Sequence, residues 1–117
     1  MTDVADRKAR IREYKETPRP MGVFRVRNVP EGRSFVSASV DLRAILNRHL
    51  AQLRLGAHSV RELQQDWQRL GAEQFAFDAL DTLEPSKDPG SDPKEDLKAL
   101  EVMWRERLAA EGEQFYR

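Results

Sequence analysis

The sequence predicts an α+β fold, a three-stranded antiparallel sheet flanked by helices, and three features carry that prediction. Two short runs rich in β-branched and aromatic residues flank Pro30-Glu31-Gly32, a hairpin signal. The apolar period then changes from two to 3.6 across residues 40–54. A third alternating run at 74–83 lies between a second helical stretch and a last one. The resulting order, α, β, β, α, α, β, α, packs naturally as helices around an antiparallel sheet.

Each element has its own local reason. Residues 3–16 read as a charged helix with sparse apolar positions (Val4, Ile11, Tyr14), ended by Pro18 and Pro20. Residues 1–20 are thus an N-terminal helical arm and 21–117 the main domain. The hairpin strands are 21–28 and 33–38, with Val23, Phe24, Val26, Phe35 and Val36 as strand formers. Leu42, Ile45, Leu46, His49, Leu50 and Leu53 then form a continuous helical stripe, with Ser39 as its expected N-cap and Gly56 as its stop. Ser59 and Glu62 have the spacing of a capping box for a second helix, which carries Val60, Leu63, Trp67 and Leu70 inward and ends at Gly71. Residues 84–94, EPSKDPGSDPK, read as a mobile loop. The last helix runs from about Pro93 to Ala110.

Composition narrows the function classes. The 117 residues make one domain of ordinary size, able to bury roughly two-thirds of the unfolded surface. Mean hydropathy is negative and no apolar run approaches the roughly 20 residues of a membrane span. There is no secretory leader pattern, and with no cysteine there is no disulfide, thiolate zinc site or thiol nucleophile. A bacterial-type cytoplasm is the expected compartment.

The net charge of zero hides a split: residues 1–72 carry +6 (fourteen cations, eight acids) and residues 73–117 carry −6 (six cations, twelve acids). Fifteen of the twenty cations are arginine, which suits forked phosphate contacts. Either the basic half meets a nucleic-acid backbone or the two halves attract each other within one fold.

Two polar groups interrupt apolar stripes. His49 lies mid-stripe on the first core helix, and Glu101 lies close to the middle of the face defined by Leu97, Leu100, Trp104 and Leu108. A carboxylate there calls for a partner or a metal, because desolvation disfavours its charge. A core histidine and an internal ion pair are the plainer explanations. His58 reads as a solvated turn residue. Ser37, His49 and Asp41 contain the atoms of a nucleophilic set, but nothing around them argues for a nucleophile.

From Gly22 to about Leu108 the chain resembles the GIY-YIG endonuclease family. The first motif stands as Gly22-Val23-Phe24 and the second as Phe35-Val36-Ser37. The Asp41-Leu42 pair, His49 twelve residues beyond Ser37, and Leu100-Glu101 on the last helix follow in order. The resemblance implies the fold order β-β-α-α-β-α, with the N-terminal helix as an addition. It implies an active site at Phe24, Phe35, Ile45, His49 and Glu101, with Glu101 as the ligand of a weakly held Mg2+. In the family a motif tyrosine helps deprotonate water, an arginine stabilises phosphate charge and the glutamate holds the metal. Here phenylalanine replaces both tyrosines, isoleucine stands at the arginine position, and only His49 and Glu101 keep a functional group. The motif's last glycine is replaced by Ser37.

Three readings follow. The first is a degenerate member, inactive or very weak as a nuclease, that binds nucleic acid. The second is an active divalent-metal-dependent DNA endonuclease with a relocated arginine, for which Arg48, about 60° around the helix from Ile45, and Arg25 and Arg27 on the first strand are the candidates. The third is a protein-interaction module that does not bind nucleic acid. For DNA as partner, the candidate contacts are Arg25, Arg27, Arg33, Arg43, Arg48 and Arg54, and no membrane is involved. His49 and Glu101 are expected to approach the same concave surface.

Overall fold

The computed structural model describes residues 20–84, 90 and 92–117, so the arm assigned to residues 3–16 and most of the 84–94 loop lie outside the described residues. Strands β1 (Met21–Asn28) and β2 (Arg33–Ser39) are followed by helices α1 (Leu42–Leu55) and α2 (Arg61–Leu70), then by strand β3 (Phe75–Leu83) and helix α3 (Pro93–Ala110), the order the sequence predicts. A short strand β4 (Gln114–Phe115) adds a fourth member to the sheet, in the order β3-β1-β2-β4. β1 runs antiparallel to both β2 and β3, whereas β4 lies parallel to β2. Two residues are too few to show a period, and this is why β4 leaves no trace in the sequence pattern.

Alternation along β1 sends Val26 to one face and Val23 to the other. On the first face Val26 packs with Leu53 of α1, Leu63 and Trp67 of α2, Phe75 and Tyr116. On the second, Val23 and Val36 pack with Leu108 of α3, against which Leu100 and Trp104 also lie. The sheet is therefore sandwiched, with α1 and α2 on one side and α3 on the other. β1 is buried on both faces, with Val23, Phe24 and Val26 its buried apolar residues. Gly22 is required where β1 meets β3: a Cβ there would collide with the Asp81 carbonyl, beside the register shift at Val23/Phe24.

The helix ends differ from the sequence expectation in two places. Asp41, not Ser39, caps α1 by accepting the Ala44 N–H at 3.1 Å, while Ser39 Oγ accepts the Asp41 N–H. The Ser59–Glu62 capping box does not form. α2 starts after Val60 without a side-chain cap, and Glu62 is drawn instead into an ion pair with Arg33. Gly56 closes α1 in the left-handed region at φ 73°.

Beyond α3 the chain turns at Gly112 and threads along β2. The Gln114 N–H donates to the Gly32 carbonyl and the Tyr116 N–H to the Ser34 carbonyl, at 3.0 and 2.9 Å. Tyr116 is driven into the α1/α2 core, where its hydroxyl donates to Asp66 at 2.7 Å and accepts from Asn28 Nδ2 at 3.1 Å. Burial and the Asp66 bond raise the phenol's pKa well above the ordinary range.

Candidate functional site

Phe24 and Phe35 face the same side of the hairpin, one from each strand, with ring centroids 6.1 Å apart. α1 crosses above them and lowers His49 onto both, at 5.2 and 5.1 Å between centroids. A fourth ring completes the cluster. His58, expected to be solvated, is buried between α1 and α2, and its Nε2 lies 2.6 Å from His49 Nδ1. The turn after Gly56 brings it back: the His58 N–H donates to Gln64 Oε1, and its Nδ1 accepts the Val60 N–H. Sequence reasoning missed His58 because it sits in a turn, where no periodicity marks an inward side chain. The available signal was that the chain's two histidines stand nine residues apart across one helix stop.

This site carries no charge at neutral pH. Burial, then the neighbouring His58 and Arg48, push the His49 pKa down to about 4. Burial also lowers that of His58. Ile45 is half-buried on α1 one turn before His49 and offers no charge of its own.

Glu101 does not join this cluster, which corrects the expectation of a shared surface. α3 lies on the opposite face of the sheet from α1, and Glu101 sits near the free end of β2 in a hollow lined by Ala38, Ser39, Val40, Lys94, Leu97 and Lys98. It pairs with Arg105 at 3.4 Å, and Arg105 in turn donates to the Val36 carbonyl at 2.6 Å. The donor set fits a resident divalent cation poorly. Among the residues lining the hollow Glu101 is the one carboxylate, it faces a guanidinium, and two lysines stand beside it. Among the described residues no group of three or more His, Cys, Asp or Glu could hold a metal.

The arginine candidates divide. Arg25 pairs with Asp78 at 3.1 Å, and Arg27 forks onto Glu113 at 2.9 and 3.2 Å. Arg33 pairs with Glu62 and lies 4.2 Å over the Tyr116 ring. These three are spoken for within the fold, by β3, the tail and α2. Burial pushes the Glu113 pKa up, but bonds from Ser34 and Arg27 outweigh it and leave the carboxyl below its usual range. Arg43, Arg48 and Arg54 lie on the exposed side of α1 with Asn47, and Arg48 and Arg54 make no ion pair among the described residues.

No protein-family model matches this sequence, and no curated protein does. Solved structures do. A mutant form of the catalytic domain of the intron endonuclease I-TevI superposes with a TM-score of 0.64 at 19% identity, covering 84% of this chain and 92% of that one. The catalytic domain of the homing endonuclease I-TevI gives 0.63 at 20% identity, covering 80% and 94%. The fold is GIY-YIG-like. On this GIY-YIG-like fold the two motif segments are adjacent strands, as their ordering in the sequence implies, and Phe24 and Phe35 stand side by side. Among the described residues no helix is long and apolar enough to cross a membrane.

Proposed function

We propose that this chain is a nuclease-fold module that binds nucleic-acid backbone and does not cut it. The exposed side of α1 carries the reading: three arginines and Asn47 on a helix with no Asp or Glu, next to the cluster where the resemblance puts the scissile site. Such a surface attracts phosphates without reading bases, so binding is general rather than sequence-specific.

Loss of cutting follows from the side chains. Phe24 and Phe35 cannot take or give a proton, and Ile45 cannot neutralise a phosphate. Removing one preorganised charge-stabilising group already costs about a hundredfold in rate. Mg2+ is not held by the free chain; a substrate phosphate would have to supply most of its ligands.

A salt titration by fluorescence anisotropy with labelled duplex DNA tests the binding. Affinity is expected to fall as salt rises, with a log–log slope of about −2 to −3 for two or three contacts. No binding at micromolar protein in low salt would leave a protein-interaction module as the better reading. Plasmid nicking in Mg2+ that vanishes in Glu101→Ala would overturn the loss of cutting.

A further inference from the structure

The two buried histidines are joined in a defined order. His58 Nδ1 accepts the Val60 N–H at 3.0 Å, so in the neutral ring its proton is on Nε2. That Nε2–H is 2.6 Å from His49 Nδ1, which must therefore be the acceptor. The proton of neutral His49 is then on Nε2. A proton on His49 Nδ1 as well would set N–H against N–H at that distance. We infer that His58 is a positioning residue that locks His49 as a neutral ring, with Nδ1 closed and Nε2–H presented as a hydrogen-bond donor.

The open end of the relay is reachable. Among the described residues the one buried side-chain polar atom without a partner is Arg25 Nε, so His49 Nε2 is not sealed in the core. The groups that face the His49 ring are Phe24 from β1, Phe35 from β2, His58 from the turn and Arg48 on its own helix. None is an anion that would favour a second proton. The site therefore donates to an acceptor atom and cannot receive a proton at Nε2. In this state His49 is excluded as a general base, and it takes an acceptor oxygen on whatever ligand the α1 surface brings. The inference holds whether or not that ligand is a nucleic acid.

Long-range 1H–15N correlation spectra of the histidine rings in the labelled, unliganded protein read the tautomer directly. Both rings are expected to show a protonated Nε2 and a bare Nδ1, and His49 to stay untitrated between about pH 5 and pH 8. In His58→Ala, His49 is expected to titrate closer to the ordinary 6.5 and to mix its tautomers. His58→Gln keeps an acceptor for Val60 and a donor for His49, and should restore the locked state. An Nδ1–H form of His49 in the wild-type protein, or its titration near 6.5 there, would overturn the inference without any variant. So would a folded His58→Ala whose His49 is unchanged.

Discussion

His49 spends its charge to be where it is. Its pKa falls from 6.5 to about 4 on folding, so between those values the unfolded chain binds the extra proton and the folded one does not. Stability from this residue is fully present above pH 6.5 and is lost as pH falls towards 4, by at most about 3 kcal/mol. Urea melts at pH 7 and pH 4.5 should show that loss, and His49→Phe, which adds a third ring to Phe24 and Phe35, should flatten the profile between them. Gly22 is constrained by shape rather than charge. Gly22→Ala forces the Asp81 carbonyl away and should destabilise by about 3 kcal/mol, read as a shift in urea midpoint at constant slope.

At the scale of the element, α1 has a divided surface. Leu42, His49 and Leu53 are buried, and the arginines and Asn47 turn outward, so charge reversal on that side leaves the core intact. Arg48→Glu with Arg54→Glu should weaken DNA binding to all sequences alike and make the salt slope shallower, with thermal stability changed by less than about 1 kcal/mol. Arg27→Glu is a poor probe of binding, since it would repel Glu113 in a largely buried pair. The tail is the other element with a measurable role. Tyr116→Ala empties part of the α1/α2 core and leaves the hydroxyl's contacts with Asp66 and Asn28 unmade, at an expected cost of about 3–5 kcal/mol. Tyr116→Phe should cost only about 1–2 kcal/mol, which separates packing from the hydrogen bonds.

Across the whole molecule the charge split is partly internal. Arg25 and Arg27 of the basic half meet Asp78 and Glu113 of the acidic half, pinning β3 and the tail to β1. Glu113→Gln removes the charge facing both arginines and should destabilise by about 2–4 kcal/mol, more than an exposed ion pair is worth. Its carboxyl and that of Asp66 both sit below their ordinary pKa values, Asp66 through bonds from Tyr116 and Arg69 that outweigh burial. Their contribution is present above the ordinary carboxylate range and is lost as pH drops through the lowered values, on the acid side of the His49 loss. Of the six candidate arginines, Arg48 and Arg54 make no ion pair among the described residues, so the proposed interface is narrower than the run of arginines suggests.

The sequence by itself determined the order of the elements, their types and the adjacency of the two motif strands. Strand and helix periods, the Gly56 and Gly71 stops and the ordered motifs are local signals that survive without knowledge of partners. It also determined that Phe24, Phe35 and Ile45 carry no proton-transferring or charged group, whatever surrounds them. Only the tertiary structure decided who faces whom. That His58 leans on His49, that Arg25, Arg27 and Arg33 are consumed internally, and that β4 and Tyr116 close the β2 edge all depend on contacts between residues far apart in the chain. Glu101 is the clearest case. Its place on an apolar helical stripe was legible, but the face of the sheet on which that stripe would dock was set by how α3 packs on Val23 and Val36, which no spacing within the helix records.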